Sequence, residues 1–113
     1  VAFPDAVPAR WTSGNPTIAT SGATWLEGAG WGGWEGGLAV ATLKEQHVRV
    51  LFFTEDGTFI EERRPAQLDH AFGRLRTPRL GPEGDLYLTT SNTPASVGPG
   101  EGSDQIVRVH PTP

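Results

Sequence analysis

Gly37-Leu38-Ala39-Val40-Ala41-Thr42 and Asp85-Leu86-Tyr87-Leu88-Thr89-Thr90 are the same kind of segment at two places in one chain, 48 residues apart. Each is a short run of small, β-branched or aromatic residues that leaves a turn signal and ends on threonine. A second pair, Val48-Arg49-Val50 and Val107-Arg108-Val109, follows in the same order at an offset of 59. The difference falls in the polar, glycine-bearing loop after Thr90, so the order of the unit is kept while one loop is longer. A unit of short strands recurring about every 40–50 residues is the signature of propeller blades.

Working outward, turn residues divide the chain into seven strand candidates. The first is Thr17 to Leu26, followed by a Gly-rich loop from Glu27 to Gly37 that holds Trp31 and Trp34. Leu38 to Leu43, His47 to Thr54 and Thr58 to Arg64 come next, the last two joined through Asp56-Gly57, a strong hairpin signal. Pro65 to Phe72 has room for one helical turn. Leu75 to Leu80 and Asp85 to Thr90 flank the turn Gly81-Pro82-Glu83-Gly84, and Gln105 to His110 is the seventh. Early strands of each unit are small and apolar and the fourth is charged, which fits inner strands packed on a neighbour and an outer strand facing water.

The expectation is therefore an all-β chain, a β-propeller fragment of about two blades, one four-stranded and one three-stranded. Residues 1–113 form one propeller segment: a lead-in over 1–16, a complete blade over 17–72, and a final blade over 73–113 that lacks its outer strand. Repeat units do not bury their faces alone, so two such blades need partners, either the remaining blades or further copies of the chain. The competing architecture is a self-contained seven-stranded sandwich.

Composition narrows the function classes. Gly 15 and Pro 10 make up over a fifth of the chain and exclude long helices. There is no Cys, hence no disulfide and no thiolate metal site, and no Met. No apolar run approaches a membrane span, and the N-terminal residues Val1-Ala2-Phe3-Pro4 do not have the form of a signal peptide. A start without Met reads as a processed or truncated chain. The net charge of −4 argues against nucleic acid as a partner.

Few residues suggest chemistry. His47, His70 and His110 are too scattered for a metal site, and read as packed or solvated side chains. Gly28-Ala29-Gly30-Trp31-Gly32-Gly33 lacks the following helix that phosphate cradling needs. Trp11, Trp25, Trp31 and Trp34 read either as wedges between blades or as sugar-stacking platforms. The cations are more informative. Lys44 ends an apolar strand, and Arg74 and Arg76 bracket Leu75, which at period 2 puts them on one face. Inner-strand starts converge around a propeller's axis, so these three would make a cationic pocket suited to a small polycarboxylate or phosphate. The alternatives are plain surface charges, or charges paired with Glu61, Glu62 or Asp69.

Three motifs carry a resemblance. Pro16-Thr17-Ile18-Ala19-Thr20-Ser21-Gly22, Trp34-Glu35-Gly36-Gly37-Leu38-Ala39-Val40-Ala41-Thr42-Leu43-Lys44, and Gly73-Arg74-Leu75-Arg76 with Gly81-Pro82-Glu83-Gly84-Asp85-Leu86-Tyr87-Leu88-Thr89-Thr90 stand in order along the chain. Together they resemble the C-terminal part of the soluble PQQ-dependent sugar dehydrogenases, the glucose/sorbosone dehydrogenase family of six-bladed propellers. The resemblance implies that Thr17, Lys44, Arg74 and Arg76 bind PQQ. It also implies that the general base and the Ca²⁺ come from blades outside this chain, which leaves no catalytic and no metal-binding residue here. Two positions depart from the family pattern: Thr77 stands where an Asp is usual after the second Arg, and Thr20 where a Pro is usual. The implied role is a cofactor-binding part of a sugar dehydrogenase, extracellular or periplasmic and inert in isolation. A non-enzymatic propeller binding module and a self-assembling blade fragment are the alternatives.

Overall fold

The computed structural model describes residues 7–28, 30–92 and 104–111. The start at Val1, Ala29 of the glycine run and most of the long loop after Thr90 lie outside the described residues. Seven strands form in chain order: β1 (Thr20–Trp25), β2 (Leu38–Thr42), β3 (Val48–Phe53), β4 (Phe59–Arg63), β5 (Leu75–Leu80), β6 (Leu86–Thr90) and β7 (Ile106–Val109). They build two antiparallel meanders, β1-β2-β3-β4 and β5-β6-β7. Short 3₁₀ turns at Gly32–Trp34 and Ala66–Leu68 are the only helical elements among the described residues.

Alternation dictates the packing. Ala39 and Ala41 of β2, Val48 and Val50 of β3, Leu86 and Leu88 of β6, and Val107 and Val109 of β7 turn alternate side chains to one face, and these faces meet as one core. Leu26, Leu68, Leu75 and Trp31 complete it, and Leu75, Leu88, Ala39 and Ala41 have no exposed surface. The other face of the second sheet shows Arg79, Tyr87 and Arg108 as cross-strand neighbours, all in water. Charged β4 (Phe59-Ile60-Glu61-Glu62-Arg63) is exposed over most of its length, as expected of an outer strand. Arg10 and Trp11, ahead of β1, reach the first sheet: Arg49 sits 5.8 Å over the Trp11 ring.

The innermost strands touch without pairing. Gly22 of β1 lies against β5 so closely that a Cβ there would meet Pro78 Cδ at 2.9 Å and the Arg76 carbonyl oxygen at 3.1 Å. Each of these strands carries a register irregularity, between Thr20 and Ala23 in β1 and between Leu75 and Thr77 in β5. Two meanders side by side, inner strand against inner strand, are the arrangement of neighbouring propeller blades.

Two local expectations need correction. β1 begins at Thr20, because the chain turns first: Ala19 has φ of 56° and its amide is held by the Thr17 hydroxyl at 3.0 Å. Arg74 and Arg76 are also not successive same-face positions of a regular strand. Arg74 precedes β5, and Arg76 falls in the irregularity between Leu75 and Thr77, where strict alternation is lost.

Candidate functional site: a cationic end of two adjacent sheets

The start of β1, the end of β2 and the start of β5 share one end of the molecule. The backbone continues the β1–β2 pairing past the strand ends: the Leu43 amide donates to the Ala19 carbonyl at 2.9 Å, and the Lys44 amide to the Ile18 carbonyl at 3.2 Å. Thr17, whose hydroxyl accepts from the Ala19 amide, is thereby seated beside Lys44.

The turn that carries Lys44 is closely braced. The Thr42 hydroxyl donates to the His47 carbonyl at 2.8 Å and accepts from the His47 amide at 3.2 Å. His47 is fully buried; its Nδ1–H donates to the Glu45 carbonyl at 3.0 Å, and its Nε2 accepts from Arg49 Nε at 3.0 Å. Arg49 in turn holds Glu62 at 3.0 Å. Burial pushes the His47 pKa below its usual 6.5, and the hydrogen bond to the Glu45 carbonyl only partly opposes this. The neutral ring is thus a strut under the Lys44 turn. Gln46, at φ of 56°, closes that turn and accepts the His70 amide at 2.7 Å, tying it to the approach to β5.

Arg74 and Arg76 are positioned by the end of β6. The Asn92 side-chain carbonyl accepts from the Arg74 amide at 2.8 Å, while its Nδ2 donates to the Phe72 carbonyl at 2.9 Å. Gly73 passes so near Asn92 that a Cβ would overlap the side-chain amide, and its φ of 78° is open to glycine at little cost. The Ser91 amide donates to the Arg74 carbonyl at 2.9 Å, and Arg76 reaches the Ser91 hydroxyl at 3.4 Å.

Thr17, Lys44, Arg74 and Arg76 are all exposed at this end. Among the described residues, none of the three cations forms an ion pair. The acids that could have quenched them are engaged elsewhere: Glu61 with Arg63, Glu62 with Arg49, and Asp69 with Arg64 and His70. Pairing with those three acids is therefore not realised among the described residues, while all three cations do stand at the surface. Sequence reasoning missed Ser91 and Asn92, because each acts on residues that only the fold brings near; His47, read as packed or solvated, is packed, and its role as a brace of the Lys44 turn was missed although its partners are local.

Among the described residues, no cluster of three or more His, Asp or Glu side chains is placed to hold a metal ion. No helix of the described residues is long and apolar enough to cross a membrane.

Known structures share the fold. One, an oxidoreductase (glucose dehydrogenase) from Thermus thermophilus, matches with a TM-score of 0.62 and 27% identity over 81% of this chain and 25% of its own. A second, a glucose dehydrogenase, matches with a TM-score of 0.64 and 23% identity over 83% of this chain and 24% of its own. The fold is thus that of a β-propeller segment of the kind these dehydrogenases contain, and the chain spans about a quarter of their length. The glucose/sorbosone dehydrogenase profile matches residues 4–98, and the chain belongs to that family. No curated protein matches the chain.

Proposed function

We propose that this chain supplies one wall of the cofactor site of a PQQ-dependent sugar dehydrogenase, with Thr17, Lys44, Arg74 and Arg76 as the cofactor-binding residues. The observation that carries the reading is the set of three cations from two adjacent sheets, unpaired among the described residues and gathered at one end of an acidic protein while Glu61, Glu62 and Asp69 are engaged elsewhere. Such a set suits a small polycarboxylate, because charge-assisted contacts to carboxylates are the strong ones and Arg offers two donors at once. PQQ, which bears three carboxylates and an ortho-quinone, supplies when bound the acceptor for a hydride from the C1 of a sugar.

The residues of this chain have binding and electrostatic tasks. Arg74 and Arg76 are held out from the start of β5 by Ser91 and Asn92, and Lys44 by a turn propped on neutral His47. Cations whose backbone is fixed in this way cost less reorganisation when negative charge develops near them than cations on a loose segment. The Thr17 hydroxyl, anchored to the Ala19 amide, is a neutral polar contact on the same rim. In this reading the base and the Ca²⁺ come from other blades, the chain alone is inert, and the working protein is extracellular or periplasmic.

The test is equilibrium binding of PQQ to the protein and to Lys44→Ala, Arg74→Ala and Arg76→Ala, with Arg79→Ala as control. Each site variant should weaken binding about tenfold, the worth of one charge-assisted contact. Arg79, exposed on the far face of the second sheet, should be silent. If Lys44→Ala and Arg76→Ala bind PQQ as tightly as the parent, the proposal fails.

A further inference from the structure

At the cationic end, β5 carries one residue more than its partner strand. Leu75 faces Thr90 and Thr77 faces Thr89, so two steps along β5 are matched by one along β6, and Arg76 is the extra residue. The insertion resets the alternation of the strand. Leu75 and Pro78, three apart, are both buried, while Arg76 and Thr77 between them are both exposed. A bulge of this kind bends its strand and re-aims a side chain, here that of Arg76.

An extra residue takes backbone groups out of the regular ladder, and they need other partners. The Thr77 amide, next after Arg76, donates to the Thr89 side-chain hydroxyl at 3.1 Å. Pro78 has no amide to donate, so the following residue cannot replace this anchor. Gly22 of β1 closes the other side: a Cβ there would come within 3.1 Å of the Arg76 carbonyl oxygen and 3.2 Å of Thr77 Cα. β1 has its own extra residue at this level, since Thr20 faces Thr42 while Ala23 faces Val40. The Arg76 segment is thus clamped between Gly22 and Thr89.

Two residues beyond Thr89, the Ser91 hydroxyl accepts from Arg76 Nη2 at 3.4 Å. Residues two apart stand on one side of a strand. Thr89 and Ser91 therefore act from the same side of β6 and its continuation, one on the backbone after Arg76 and the other on its guanidinium. We propose that Thr89 is the positioning residue of Arg76: its hydroxyl holds the bulge at the Thr77 amide and so sets the direction in which Arg76 leaves β5. The consequence for a ligand rests on the reading of this end as a PQQ site; the hold on Arg76 does not.

The experiment compares Thr89→Val, which keeps the branched shape and removes the acceptor, with Thr89→Ser, which keeps the hydroxyl. NMR without ligand follows Thr77 amide exchange and the Arg76 Nε–H resonance. In Thr89→Val the Thr77 amide should exchange about fivefold faster and the Arg76 resonance should shift, whereas Thr89→Ser should match the parent. PQQ binding should weaken about fivefold in Thr89→Val, the worth of one neutral hydrogen bond. That loss should vanish when Arg76 is already replaced by Ala and persist in full beside Lys44→Ala. A threonine that only stabilised the fold would give the same loss on both backgrounds, and that result overturns the assignment. Unchanged Thr77 exchange and Arg76 resonance in Thr89→Val overturn it as well. Where Thr89→Val does not fold, Thr89→Ala removes the same acceptor and takes its place. If Arg76→Ala alone leaves PQQ affinity unchanged, the cofactor reading is what fails, and the two ligand-free readouts decide on Thr89.

Discussion

Replacing Gly22 by Ala puts a methyl group at the point where β1 rests on β5. The added Cβ would lie 2.9 Å from Pro78 Cδ, 3.1 Å from the Arg76 carbonyl oxygen and 3.2 Å from Thr77 Cα. Comfortable carbon contacts are about 3.5–4.0 Å, so three atoms are overlapped by roughly 0.5 Å each. Two belong to backbone and one to a proline ring, so no rotamer change relieves the overlap and the strands must part. Overpacking of this kind costs about 1–3 kcal/mol, and the stiffer unfolded chain of an alanine variant returns about 0.5 kcal/mol. The net loss of roughly 0.5–2.5 kcal/mol, at a urea m-value near 1.5 kcal/mol/M, lowers the unfolding midpoint by roughly 0.3–1.7 M. Because the Arg76 carbonyl is one of the displaced groups, PQQ affinity should drop as well, although Gly22 offers no side chain to a ligand. Urea unfolding followed by tryptophan fluorescence, with PQQ binding on the same samples, measures both. An unchanged midpoint with intact affinity would refute the close contact of the two inner strands and the positioning argument built on it.

Leu88→Ala empties a fully buried position between the sheets and should cost about 2–5 kcal/mol, whereas Ile60→Ala, at 58% exposure, should stay within about 0.5 kcal/mol; equal losses by chemical denaturation would contradict the assigned core. Asp85→Asn removes the carboxylate that Arg108 and His110 share; as both partners are more than half in water, the expected loss is about 1–2 kcal/mol, and a midpoint equal to the parent's would show that the pairs contribute nothing. His47 has a depressed pKa in the fold, so the unfolded chain takes up its proton first as the pH falls. Its contribution is fully present above pH 6.5 and declines below it; stability relative to His47→Gln should therefore fall on acidification through that value, and a rise there would reverse the assigned neutral tautomer.

How far the residues alone lead is clearest at particular places. Asp56-Gly57 sets its hairpin locally: Gly57 takes φ of 87°, and the Thr54 amide donates to the Thr58 carbonyl at 2.8 Å. The repeat around Ala39–Ala41 and Leu86–Leu88 was legible because burial on one face imposes period 2, whatever the neighbour is. Pro65 to Phe72 yields its single helical turn at Ala66–Leu68, with Leu68 pressed into the core. Of the tryptophans, Trp31 is the buried wedge, while Trp25 at 49% exposure is not. What could not be read is contact between distant turns. Asn92 lies 18 residues from Arg74, and its grip depends on two strands first aligning. The bend at Ala19 and the irregularity at Arg76 are likewise responses to neighbours, which no alternation pattern encodes.

The second sheet has two unlike borders. Along β5, Pro78 removes an amide donor and the irregular register beside it disturbs the hydrogen-bonding row; proline is confined to such borders because it blocks another strand from joining. Along β7 the pairing to β6 is regular over its whole length, and Ile106 stands 75% in water. Strand addition to this sheet is therefore one-way. A newcomer has a continuous row of donors and acceptors along β7, whereas the β5 border is interrupted at Pro78 and already has β1 resting against it at Gly22, so growth of the sheet has a direction.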